Sequence, residues 1–224
     1  MSESSSEAGH RPPEALRRAV LIDANVLFSP RLRDLFMALL EEDLISLHWT
    51  KEIDTEWTRN VIDKQDADRS SIERCMHLMH QAAGEIDDDT DQGWEVTGHE
   101  VHLQRFAAVH EKDRHVAAAA YQLSLVFEGP VALVTNNIRD FPAPAFYGTQ
   151  VSCYSVDAYL TQLMDENLDE VAAAAEACRS KLIKPPQPKD AYLKSLQRLG
   201  CDQFAVYLES FWDLQEGRVR ARDE

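Results

Sequence analysis

The 224-residue sequence has few glycines (8), few cysteines (4) and little positive charge, with 23 Lys/Arg against 39 Asp/Glu and a formal net charge of −16. Each shortage excludes something. There is no Gly-rich phosphate loop and no G-x-S-x-G nucleophile elbow. Cys75, Cys153, Cys178 and Cys201 lie far apart with no C-x-x-C pair, which argues against a disulfide framework or a structural zinc site and predicts buried free thiols. A protein that grips nucleic acid by charge alone should be basic, and this one is not. No apolar run approaches the roughly 18 residues of a membrane span. The polar start, Met1 to Arg18, lacks the apolar segment of a secretory signal. Residues 1–17 therefore read as a disordered lead, and the chain is expected in the cytoplasm.

Apolar residues make up 44% of the chain, enough to build a core. Ala19 to Asp23 and Val131 to Thr135 read as strands buried on both faces, with Leu44 to Trp49 and Val151 to Tyr154 as further strands and a weak one at Trp94 to Val96. Between them fall helices: one from Pro30, one capped by Thr50, one over Ser71 to Ala83, one near His99 to His110, one opened by Asp113 and one capped by Ser155. Such alternation predicts a parallel sheet covered by helices. Residues 18–164 would form this domain. Residues 165–224 would form a helical annex: a helix over Val171 to Ile183, a stiff Lys184-to-Pro188 break, then helices at Ala191 to Leu199 and Gln203 to Leu214. The acidity is concentrated before the annex, in part as the run Glu85, Asp87, Asp88, Asp89 and Asp91, which reads as solvated loop. From Arg179 to Arg222 nine Lys/Arg outnumber five Asp/Glu.

In a parallel sheet ligands gather outside the carboxyl ends of the strands. Asp23 ends the first strand, Asn136, Asn137 and Asp140 follow the later one, Asp113 opens the helix before it, and Glu56 lies on the helix after the second strand. Carboxylates brought together repel unless a cation sits between them. A hard divalent ion, Mg2+ or Mn2+, suits an all-oxygen donor set and can activate water against a phosphodiester.

In sequence order, Leu21-Ile22-Asp23-Ala24-Asn25-Val26-Leu27, Glu52 to Asn60, Asp113 to Ala119 and Val134-Thr135-Asn136-Asn137-Ile138-Arg139-Asp140-Phe141-Pro142 resemble the four motifs of PIN-domain ribonucleases, the superfamily that contains VapC-type toxins. The resemblance covers about Ala19 to Met164. It implies a PIN-like three-layer α/β fold, a short parallel sheet flanked by helices, here with the annex added. It implies metal-binding catalytic carboxylates at Asp23, Glu56, Asp113 and Asp140, with Asn137 also near the metal. Asn25 would order the first carboxylate, and Thr135 would contact metal or water. Arg59, Arg114 and Arg139 are candidates to meet phosphates. The reaction implied is hydrolysis of an RNA substrate by metal-activated water, leaving 5′-phosphate and 3′-hydroxyl ends. The partners implied are an antitoxin protein, whose basic side chain enters the acidic pocket, and a second copy in a homodimer. The sequence departs from the family in Val109-His110-Glu111-Lys112, where relatives commonly carry an acidic, proline-containing approach, and in having Asn rather than Asp at Asn137.

Rival readings are weaker. Glu52, one turn before Glu56, competes for the second acidic position. A haloacid-dehalogenase-type phosphatase needs a second Asp where Asn25 stands. His99-Glu100-Val101-His102 is one residue short of the H-E-x-x-H zinc motif, and His77 with His80 is a similar i,i+3 pair; both read as packing or surface histidines. A PIN-fold RNA- or protein-binding module without catalysis remains the alternative from another class.

Overall fold

The computed structural model describes residues 18–84, 93–182 and 186–223. The predicted lead over residues 1–17, the acidic run Glu85 to Asp91 and the start of the Lys184-to-Pro188 break lie outside the described residues.

Four apolar runs form strands β1 (Arg18–Ile22), β2 (Ile45–His48), β3 (Val131–Val134) and β4 (Val151–Tyr154). They pair in parallel in the order β2-β1-β3-β4. Successive strand residues point to opposite faces, yet Val20, Leu21 and Ile22 are all fully buried. Helices must therefore cover both faces of β1.

The α-helices of the described residues are α1 (Ala24–Leu27), α2 (Pro30–Glu41), α3 (Lys51–Gln65), α4 (Arg69–Ala83), α5 (Arg114–Val126), α6 (Val156–Glu166), α7 (Leu168–Ser180), α8 (Lys189–Gln197) and α9 (Asp202–Asp223). Their starts follow from side-chain caps. Thr50 accepts from the Ile53 amide at 3.2 Å, Asp68 from Ser71 at 2.9 Å and Ser155 from Ala158 at 3.1 Å, each satisfying an otherwise unpaired helix amide. Right-handed crossovers place α2, between β1 and β2, on one face and α5, before β3, on the other. Accordingly α5 packs on β1, β3 and β4, whereas α2 packs on β2 and α7. The result is the α/β architecture expected of a PIN-like fold.

Two expected elements differ. The strand at Trp94 to Val96 is a single parallel bridge, Trp49 to Glu95. The chain crosses β2's continuation there and leaves. The helix predicted over His99 to His110 is a 3-10 helix, His99–Phe106. Pressed onto α5, it derives its order from tertiary contact rather than from its own ladder. In the annex, α7 runs Leu168–Ser180, starting three residues earlier than its apolar pattern suggested.

The annex shares the main core. Phe204, Leu208, Leu196 and Tyr192 belong to the same buried cluster as β1, with α7 against α2 and α9 against α6. Asp157 of α6 accepts from the amides of Gln203 and Phe204 at 3.2 and 2.9 Å and so caps α9. Gly200, at φ +81°, makes the turn that brings α9 back onto α8. Among the described residues no helix is long and apolar enough to cross a membrane.

Candidate active site at the carboxyl edge of the sheet

The connection after β1 leads to β2 on one side and that after β3 leads to β4 on the other. The carboxyl ends of β1 and β3 therefore flank the switch point, where an open α/β sheet forms its crevice. Because Ile22 pairs with Val134, the next residues, Asp23 and Thr135, stand level. The Asp23 amide donates to the Val134 carbonyl at 3.1 Å, and the Thr135 amide to that of Tyr154 at 3.0 Å.

A closed hydrogen-bond network holds the two side chains. The Thr135 hydroxyl donates to Asp23 Oδ2 at 2.6 Å and accepts from Asn25 Nδ2 at 2.9 Å and the Asn137 amide at 3.0 Å. One donor and two lone pairs are all a hydroxyl has. In this arrangement Thr135 has none left for a metal ion, so it positions Asp23. Asn25 Nδ2 also donates to Asp23 Oδ2 at 2.5 Å, and its Oδ1 accepts from the Asn136 amide at 2.9 Å. The Asn137 side-chain amide donates to Asp140.

Asp23 is 4% exposed. Burial, partly offset by the Thr135 hydrogen bond, pushes its pKa up to about 6, and the charges of Glu56 and Asp113 push in the same direction. Asp113, half-buried at the start of α5, is raised by its own burial and by Asp140, and lowered by His110 and His115. Glu56, Asp23, Asp113 and Asp140 thus form one chain of mutually repelling carboxylates, assembled from α3, β1, α5 and the turn after β3. Among the described residues neither Lys nor Arg forms an ion pair with any of the four; His110 Nδ1 lies 3.4 Å from Asp113 Oδ2.

Glu52 is placed differently. Its Oε2 lies 3.4 Å from His99 Nε2 and 3.2 Å from His115 Nδ1, whereas Glu56 is the α3 acid whose charge acts on Asp23. Arg59 lines an open pocket of about 350 Å³ with Lys51, Glu52, Thr55, Glu56 and His115. Arg114 is turned away and donates to the carbonyls of Val109 and Ala107 at 3.1 and 3.2 Å. Arg139 is exposed beside Asp140. His115 and His110 were not singled out from the sequence; their positions, two residues after and three before Asp113, are the only sequence signal for them. The four cysteines are free, two of them buried. Cys153, next to the site, is pushed up to about 12 by burial and by Asp23, which removes it as a nucleophile.

The donor set, carboxylate oxygens with amide oxygen at Asn137, is the chemistry of a hard divalent cation, and a cation would relieve the strain on Asp23's charge. Among the described residues no three His, Cys, Asp or Glu side chains converge closely enough to hold one ion as they stand.

Fold and crevice define a parallel-sheet α/β protein with a carboxylate cluster at its switch point. Residues 156–210, from α6 into α9, match the VapC50 C-terminal domain, a similarity to VapC proteins over this part of the chain. The match lies wholly outside the carboxylate cluster. No curated protein and no solved structure matches the chain.

Proposed function

We propose that the chain is a metal-dependent endoribonuclease that hydrolyses RNA phosphodiester bonds and serves as the toxin of a type II toxin–antitoxin pair. The observation that carries the nuclease reading is the buried, uncompensated Asp23, raised to about 6 among Glu56, Asp113 and Asp140. Asp23, Glu56, Asp113 and Asp140, with Asn137, would hold Mg2+ or Mn2+. A bound ion supplies Lewis acidity and a lowered pKa for its water. The chain's own contribution is orientation: Asn25 and Thr135 fix one Asp23 oxygen, and Asn137 fixes Asp140. Arg59, which lines the pocket with Glu56, would meet a phosphate there. The match over residues 156–210 supports the toxin assignment, and an antitoxin with a basic side chain would suit the acidic crevice.

The test is cleavage of labelled single-stranded and structured RNA with Mg2+ or Mn2+. Wild type should cut, while Asp23→Asn and chelator should each reduce the rate by roughly 10²-fold or more. Equal cutting by both proteins would overturn the mechanism. That no three-ligand cluster occurs among the described residues favours a second reading, a PIN-like binding module without catalysis. Calorimetric titration with Mn2+ separates the two, since only the nuclease should bind the ion in a manner that Asp23→Asn abolishes.

A further inference from the structure

A second pocket, of about 480 Å³, opens between α3 and α4. Its lining includes the apolar Ile62, Ile72 and Met76 and the rings of Trp94 and His80. His80 lies flat on Trp94, centroids 3.9 Å apart and planes 11° from parallel. His80 is held there because Nε2 donates to Asp54 Oδ2 at 2.7 Å, while Asp54 Oδ1 accepts from Trp57 Nε1 at 2.9 Å. Stacked rings cover each other's inner faces, so the wall offers a single aromatic face, held in place by the buried Asp54 carboxylate. The charged lining comprises Lys51, paired with Glu95 at 3.0 Å, Arg69, Asp54 and Glu73. Arg69 occupies the first turn of α4, where a cation opposes the helix dipole, so helix stability does not account for it. The pocket shares Lys51 and Thr55 with the pocket that holds Glu56 and Arg59.

We infer that this second pocket seats the base of one nucleotide of an RNA strand whose backbone runs over Lys51 toward Arg59 and the carboxylate cluster. The inference rests on the nuclease reading of that cluster and extends it. The volume is that of a small-molecule site. An aromatic and apolar lining that also carries cations is what single-stranded nucleic acid requires: base faces pack on rings, and phosphates meet Lys and Arg. A planar base packs on a single ring face, and the continuity of the two pockets along α3 supplies the path for a strand.

The experiment uses the full chain with Asp23→Asn and EDTA, so that binding is read without cleavage, by anisotropy of a labelled eight-nucleotide single-stranded RNA. One abasic position is moved along the RNA. A loss of about tenfold in affinity is expected at a single position, and Met76→Trp, which fills the pocket, should abolish that positional dependence. Should Met76→Trp unfold, as checked by its circular-dichroism melt, Arg69→Glu and Glu73→Arg carry the test, the first weakening and the second tightening binding severalfold. Equal losses at every abasic position, with RNA still bound, would overturn the pocket and leave the nuclease reading intact. Unchanged RNA affinity in the variants, together with loss of a co-purifying protein, would assign the pocket to that protein and equally overturn the inference. No RNA binding by any version would remove both.

Discussion

Two buried aspartates on neighbouring elements show opposite ways of keeping a carboxylate out of water. Asp54, 5% exposed, receives the Trp57 indole and the His80 imidazole. The chain supplies its counterpart, and the result is a braced wall. Asp23, 4% exposed, receives only dipoles, from Thr135 and Asn25, and faces the charges of Glu56 and Asp113. Its proton affinity rises accordingly. A buried acid that the fold has compensated braces its surroundings, and one left uncompensated beside other acids keeps a raised proton affinity.

The contrast is open to attack, from the largest effect to the smallest. Loss of cleavage in Asp23→Asn comes first. Next, Asp54→Ala should cost about 2–4 kcal/mol in urea unfolding, because it orphans an indole N–H and an imidazole N–H in the interior. Its thermal response to Mn2+ should match that of wild type, whereas Asp23→Asn should lose that response. A shift shared by all three proteins would place the ion elsewhere.

Third, Asp23→Asn should stabilise the protein, by an amount that depends on pH. The folded-state pKa of Asp23, about 6, exceeds its ordinary 3.8. The folded protein therefore keeps a proton that the unfolded chain has released, and this contribution to stability falls as pH rises from about 4 to about 6. Above pH 6 the variant should gain on the order of 1–3 kcal/mol, and near pH 4 almost nothing. His48 works in the opposite direction. Burial pushes it down to about 4 from 6.5. It is neutral in the fold, donating from Nδ1 to the Gly93 carbonyl and accepting the Ser46 hydroxyl at Nε2, so stability is lost as pH falls from about 6.5 to 4. The two slopes offset each other in wild type. Urea midpoints across pH 4–8 should therefore show a steeper acid loss in Asp23→Asn, and parallel curves would mean that Asp23 is as well compensated as Asp54. The smallest effect is that of Asp157→Ala, about 1 kcal/mol from uncapping α9, read by the same unfolding and independent of Mn2+.

Much of the fold was legible because it is local. Continuous apolar runs mark β1 and β3, and Thr50 and Ser155 announce α3 and α6 through bonds that reach three residues. Where local signals were weak, at Trp94 to Val96 and His99 to His110, tertiary contact decided the outcome: a single bridge in one place and a 3-10 segment against α5 in the other. The acids and their order were also visible, since residue type and strand ends are sequence properties.

Their relations were not. Thr135 reaches Asp23 across 112 residues only because β3 lies beside β1 in a register that levels the two. Glu56 and Glu52 share a helix one turn apart, and packing alone made one act on the charge of Asp23 and set the other within reach of His99 and His115. Arg114 follows Asp113 in sequence yet is spent on two backbone carbonyls. The sequence by itself determined which groups can carry charge and where strands and helices begin, because those depend on neighbours within about one turn. The tertiary structure alone decided which buried charges are answered by the chain and which are left uncompensated, because strand order, register and desolvation act across the whole sheet.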